Sequence, residues 1–425
     1  MMAALALIGG VLLGQAEPTA GDDLKLQVRR LVRQLDAPQL AERESAEQKL
    51  VELGPNILDL LPQGPDRTSA EVAQRVERIR QKLQRIMAES AGQASPVTLQ
   101  GEMTIAEAAG KLEAQTGNKI VLRLARSGPG EEAGPKLTLD LQNVPFWQAL
   151  DEILDQAGLG VYPYGEEKAI YVVPRPGEGA SRASRADSSG PFRFEPVSIQ
   201  AIRDLRNPGN QSLRLTLEVS WEPRLAPVSL LQRMGDLEVI DENGNPLAVE
   251  AQEAVSEVNV IPDSTTVALE IPLKLPPRDV NQIARLKGTL TALLPGKVET
   301  FRFEDLEKAE EVEKRVGGVT VMLERVRKNR SVWEIRILVR FDKANGALES
   351  HRNWIYDNEA YLEPPQGESI VWATFETTRQ TEDEVGVAYY FAVDGPLTGH
   401  TLVYKTPGMI LSKRLDYEIQ GIPLP

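Results

Sequence analysis

Two nine-residue stretches alternate apolar and polar side chains, the second interrupted only by Leu338: Leu213-Arg-Leu-Thr-Leu-Glu-Val-Ser-Trp221 and Trp333-Glu-Ile-Arg-Ile-Leu-Val-Arg-Phe341. A period of two over that length suits only a β-strand with one face buried. The strands also belong to a repeat of about 110 residues, seen in matching strand and turn signals. Leu237-Glu-Val-Ile before Asp-Glu-Asn-Gly matches Ala360-Tyr-Leu-Glu before Pro-Pro-Gln-Gly, Thr266 to Leu275 parallels Val387 to Val393, and Gly288 to Phe303 parallels Gly399 to Ile419. In the last pair a strand, a Pro-Gly turn and a strand recur. Many short strands with such punctuation predict two tandem antiparallel β-sandwich domains, residues 191–304 and 316–425, joined by a charged connector from Asp305 to Arg315.

The chain upstream has a different period. Leu24, Val28, Leu31, Val32 and Leu35 recur at helical spacing; Asp36-Ala-Pro38 breaks the pattern. A second helix is expected from Gln39 to Leu53, stopped by Gly54-Pro55. Val72, Val76, Ile79, Leu83 and Ile86 mark a third. Residues 22–90 therefore form a helical unit, and Leu35 to Gly54 resembles one HEAT-type repeat.

Residues 97–174 carry the densest local signals. Val97-Thr-Leu-Gln reads as a strand, and Thr104-Ile-Ala-Glu107 has the spacing of a capping box that opens a helix to Gln115, with Gly117 at its end. Ile120, Leu122 and Leu124 alternate, as do Leu137, Leu139 and Leu141; a second helix follows from Phe146, closed by Gly158. In this helix Trp147 is expected to pack rather than to serve a site. The element order, and above all Leu137 to Leu159 with its Asn143-Val-Pro-x-x-x-Ala-Leu150 segment, resembles the short N-terminal domain of secretins and TonB-dependent receptors. The resemblance implies a periplasmic domain that docks other envelope proteins and implies no catalytic residues. Ala125 to Pro135 is an insertion relative to that pattern, and neither a secretin pore region nor a receptor barrel follows. From Arg175 to Gly190 the composition shifts to Pro, Gly, Ser, Ala and Arg, as in a flexible linker. The expected fold class is thus multidomain α+β.

Composition bounds the function. A net charge of −14 argues against a chain built to grip nucleic acid. The absence of cysteine excludes disulfides, thiolate zinc sites and cysteine nucleophiles. Ala3 to Gly14 is an uncharged apolar run, and Gly14-Gln15-Ala16 offers small residues for cleavage before Glu17. A signal peptide over residues 1–16 and a periplasmic or secreted bacterial protein are therefore expected, with no integral membrane segment once that peptide is removed.

Site chemistry is sparse. The two histidines, His351 and His400, sit beside turn residues, and Ser350 next to His351 would point to the opposite face of a strand. Asp241-Glu-Asn-Gly-Asn245 spaces oxygen ligands as a calcium loop does, yet Asn243-Gly244 between alternating segments is first a hairpin signal. Gly9-Gly10, Gly128-x-Gly130 and Gly317-Gly318 lack the surroundings of a phosphate loop. Trp333, Trp354, Tyr356, Tyr361, Trp372, Phe375, Tyr389, Tyr390 and Phe391 gather near the C-terminus. They are expected as sandwich core; on an exposed concave face they would instead stack on sugar rings or anchor a partner. No catalytic, cofactor-binding or metal-ligating residue is assigned. The chain is read as an exported non-enzymatic envelope protein that binds proteins, alternatively one whose C-terminal sandwich binds or processes glycan.

Overall fold

In a computed structural model the described residues are 20–62, 69–124, 135–165, 167–175, 181–183, 185–207, 209, 211–261, 263–348 and 353–425. The expected signal peptide, His351, Ser350 and nearly all of the Ala125–Pro135 insertion lie outside them. Two units are distinguished, Met1–Leu83 and Gln84–Pro425.

The first unit is helical. Helices α1 (Ala20–Gln34) and α2 (Leu40–Glu52) are followed by a 3-10 turn at Pro55–Leu60, entered through Gly54 at φ +78°, and by α3 (Ala70–Ala91), which runs on into the second unit. Val28, Leu31, Leu35, Leu50, Val76, Ile79 and Leu83 are buried. Ile86, expected on the apolar face of the third helix, is 40% exposed. Among the charged residues, Glu47 gathers Arg75 (3.2 Å), Arg78 (3.4 Å) and Lys82 (3.2 Å).

The second unit begins with the expected small α/β arrangement. Its elements are β1 (Pro96–Thr104), α4 (Ile105–Thr116), β2 (Ile120–Leu122), β3 (Lys136–Pro145), α5 (Phe146–Ala157), β4 (Leu159–Tyr162) and β5 (Ile170–Pro174). The Thr104–Glu107 capping box is formed in both directions, and Gly117 and Gly158 take left-handed conformations at the two helix ends. Strand β1 pairs antiparallel with β3, while β5 lies between a parallel β2 and an antiparallel β4. Phe146, Leu150, Ile153, Leu154, Ile105 and Leu112 fill the core between helices and sheets.

The remainder is mainly β-structure, with 3-10 turns at Met234–Asp236, Leu306–Lys308 and Trp354–Asp357: β6 (Asp187–Ser189), β7 (Phe192–Arg203), β8 (Gln211–Trp221), β9 (Ser229–Arg233), β10 (Glu238–Asp241), β11 (Val255–Asn259), β12 (Thr266–Leu273), β13 (Gln282–Pro295), β14 (Val298–Phe303), β15 (Glu310–Val316), β16 (Val319–Asn329), β17 (Val332–Phe341), β18 (Ala360–Glu363), β19 (Ile370–Val371), β20 (Thr374–Gln380), β21 (Glu384–Ala392), β22 (Thr401–Pro407) and β23 (Ile410–Pro423). Two sheet pairs result. The first sets β12-β8-β7-β6 against β10-β13-β9-β11 with β23 added on β13; the second sets β15-β16-β17-β21-β20 against β14-β22-β18-β19. The aligned sequence segments occupy equivalent places, with β8 between β7 and β12 as β17 lies between β16 and β21.

Two strands do not lie with the sheet pair nearest them in sequence. Strand β14 ends the first repeat but pairs with β22 of the second sheet pair, where Phe301 and Phe303 enter the core. Strand β23 ends the second repeat but pairs with β13 along its length, and Tyr417 stacks on Phe194 at 4.4 Å in the first core. Pro295-Gly296 and Pro407-Gly408 are therefore crossovers between sheet pairs rather than hairpin turns. The crossovers pair with each other: Gly296 N–H donates to Met409 O and Gly408 N–H to Lys297 O, both at 2.8 Å. One antiparallel ladder thus runs from Gln282 opposite Pro423 to Phe303 opposite Leu402, through both sheet pairs. The expected charged connector also forms structure, since Glu310–Val316 is the edge strand β15.

Candidate functional site

The stretch expected as a linker is fastened at its described residues. The Asp155 carboxylate accepts from Arg175 Nη2 at 2.6 Å, Arg182 N at 2.9 Å, Ser181 Oγ and Ala183 N. Burial works to raise its pKa, but these hydrogen bonds outweigh it and hold Asp155 down at about 2. Beside it the buried Asp151 accepts from Arg182 Nε at 2.9 Å and from Arg193 Nε, itself buried, at 2.8 Å.

A second polar joint centres on Glu222, 0% exposed. Its carboxylate accepts from Ser95 N (2.8 Å), Ser95 Oγ, Asn118 Nδ2 (2.9 Å) and Arg224 Nε (2.7 Å). Trp147, expected to pack, is buried and also donates its indole N–H to Pro191 O at 2.9 Å. Every group in these joints is satisfied from within the chain, so they attach the α/β part to the first sheet pair and leave no acceptor for a ligand.

The sequence candidates resolve one by one. Asp241 is a buried turn residue whose carboxylate accepts from Asn243 N and Asn245 N at 2.8 Å each and from Asn245 Nδ2 at 3.2 Å. Its oxygens are thus taken by the Asn243-Gly244 turn, and among the described residues no group of three or more His, Asp or Glu converges as metal ligands do. His400 follows a turn, and among the described residues its Nδ1 has no hydrogen-bond partner that would orient the ring as a base. Gly317-Gly318 joins β15 to β16, and Gly317 has φ +65°. A Cβ at Gly317 would meet Gln84 Oε1 at 2.5 Å; the side chain of Gln84 fills that space and donates to Glu299 Oε1 at 2.6 Å.

The C-terminal aromatics divide. Trp333, Tyr389 and Phe391 are buried in the core of the second sheet pair. Tyr356, Tyr361, Trp372 and Phe375 are half-buried and line one cleft of about 1040 Å³, together with Asn353, Asp357, Asn358, Glu359, Ser369 and Val371. The fold produces this opening because the chain passes at Trp372–Ala373 from β19, the edge of one sheet, to β20, the edge of the other. Tyr356 stacks on Phe375 (5.2 Å, 20°), and Trp372 meets Phe375 edge-on (5.3 Å, 85°). Beneath them Tyr389 is 1% exposed, and its hydroxyl has no hydrogen-bond partner among the described residues.

Charge is distributed unevenly in the cleft. Glu359 pairs with Lys405 at 2.7 Å, and the Lys405 ammonium lies 5.7 Å from the centre of the Tyr361 ring. Asp357 has neither an ion-pair nor a hydrogen-bond partner among the described residues. Loss of surrounding water raises its carboxyl above the ordinary range. Core and cleft aromatics look alike in the sequence, because the edge strands that open the cleft are only two and seven residues long.

Comparison of the chain with protein-family models, curated proteins and solved structures finds no match.

Proposed function

We propose that this chain is an exported, non-enzymatic protein of the bacterial envelope that docks an extended segment of a partner protein against its second sheet pair. The segment would add to the free edge of β20 and place a side chain in the aromatic cleft. The carrying observation is that cleft of about 1040 Å³, opened between two sheet edges and lined by four half-buried rings. The contrast between the outer strands of the same sheet supports the choice of edge. Strand β15 carries Glu310, Glu311, Glu313, Lys314 and Arg315, the charge by which edges resist added strands. Strand β20, Thr374-Phe-Glu-Thr-Thr-Arg-Gln380, is threonine-rich and lies beside the cleft.

In this reading the two sheet pairs are β-sandwich domains, residues 97–174 are a docking module like that of secretins and TonB-dependent receptors, and residues 22–90 are a HEAT-like unit. Export rests on the Ala3–Ala16 pattern. A second reading, glycan binding, draws on the polar rim of Asn353, Asn358 and Ser369 around the rings. Protein docking is preferred because the Tyr356 and Phe375 faces stack on each other, covering platform area that a sugar would need.

The test is cross-linked capture from an envelope fraction with the full chain and with Trp372→Ala, alongside calorimetry against a glycan panel. Loss of a discrete cross-linked protein with Trp372→Ala supports docking. Unchanged capture with the variant, or glycan uptake that depends on Trp372, would replace it. Recovery of a mature chain beginning at Glu17 is the expected result for export, and an intact Met1 would refute it.

A further inference from the structure

The fold fills one of two acid–aromatic pairs in the cleft itself. Lys405 sits between the Glu359 carboxylate, at 2.7 Å, and the Tyr361 ring, at 5.7 Å, so an ammonium there is held by an anion and by a ring at once. The second pair consists of Asp357 with Tyr356, Trp372 and Phe375, lining the same cleft. Here a carboxylate and three rings line one opening, and no cation or hydrogen-bond donor of the described residues reaches the carboxylate. A cation over aromatic faces gains from the ring quadrupoles, and a neighbouring carboxylate adds a direct ion pair. Glu359, the other acid lining the cleft, has Lys405 as its one cation among the described residues.

We infer that the cleft is a cation receptor, and that the docked segment inserts an arginine whose guanidinium pairs with Asp357 and packs on the Trp372 ring. Arginine is favoured over lysine because its planar, weakly hydrated head both stacks on rings and pairs with a carboxylate through two N–H groups. The inference rests on the docking reading above and specifies the chemistry of the anchor. The neighbouring β20 edge explains why the cation comes on a polypeptide, since a free strand edge offers main-chain pairing to an extended chain and nothing comparable to a small amine.

The full chain is titrated with N-acetylarginine amide, its neutral isostere N-acetylcitrulline amide, and tetramethylammonium. Binding is read from indole fluorescence, with Trp372→Phe identifying the reporting ring. The arginine probe should bind saturably and more weakly as salt is raised, and the citrulline probe at least about tenfold more weakly. Asp357→Asn should weaken the arginine probe by a similar factor and leave the citrulline probe unchanged. The same two variants are then compared in partner capture. Loss with both Asp357→Asn and Trp372→Ala supports the inference. Loss with Trp372→Ala alone leaves docking standing and overturns the cation anchor. Equal binding of arginine and citrulline probes, or no binding of the arginine probe, also overturns it. Asp357-dependent uptake of tetramethylammonium without the arginine probe would assign the site to a small quaternary amine and refute the arginine.

Discussion

Two carboxylates, Glu222 and Asp357, belong to the same second unit and are treated in opposite ways. Glu222 is 0% exposed and accepts from Ser95, Asn118 and Arg224. Asp357 stands at the rim of an aromatic cleft, and no donor of the described residues reaches it. A buried charge persists only when its lone pairs are met, so the first is a joint; an unmet charge beside rings has its interaction capacity left for another molecule. The difference separates what holds this protein together from what it presents.

Glu222→Gln places an amide donor among the Ser95, Asn118 and Arg224 donors and should cost about 3–5 kcal/mol, the usual loss when one partner of a buried charged network is removed. Urea unfolding measures it, and a cost below about 1 kcal/mol would show that the network does not carry the joint. Trp147→Phe keeps most of the ring but leaves Pro191 O without the indole N–H; about 1–3 kcal/mol is expected by the same measurement.

Acid probes the neighbouring joint. Asp155 has a folded pKa of about 2, below its ordinary 3.8. Its contribution is therefore fully present above about pH 4, and falls away as pH drops toward 2, because the unfolded chain takes up the proton first. Asp155→Asn should flatten the stability–pH curve in that window and leave the slope near neutrality unchanged; an equal slope in both proteins would exclude this joint as the source. The smallest effect is expected at Asp357. With no partner to lose among the described residues, Asp357→Asn should alter unfolding free energy by no more than about 0.5 kcal/mol while removing cation binding. A clear loss of stability would mean that this carboxylate, too, is structural.

The α/β part was readable because its signals are local. Thr104 and Glu107, three residues apart, close the capping box; Gly117 and Gly158 supply left-handed ends; and Leu137, Leu139 and Leu141 alternate into the core. Each depends on neighbours within one or two turns of chain. Trp147 was legible as packing and illegible as a joint, because Pro191, its hydrogen-bond partner, is forty-four residues away and on another element. The fastening of the expected linker was hidden for the same reason. Arg175 and Arg182 look like solvated charge until Asp151 and Asp155 are placed beside them.

Alternation and helical spacing mark many of the strands and helices, and matching strand signals mark the duplicated β-structure, but the charged Asp305–Arg315 run, expected as a connector, holds strand β15. Alternation states which face of a strand is buried but not which strand lies next to it. A Pro-Gly pair reads the same whether the chain turns back or passes onward. Only the tertiary structure decided that β14 and β23 exchange sheet pairs, since that choice depends on pairing Gln282–Phe303 with Leu402–Pro423 in one ladder. Only it decided that Tyr356, Trp372 and Phe375 would meet an unpartnered Asp357 in an open cleft, while Trp333, Tyr389 and Phe391 of similar composition went into the core.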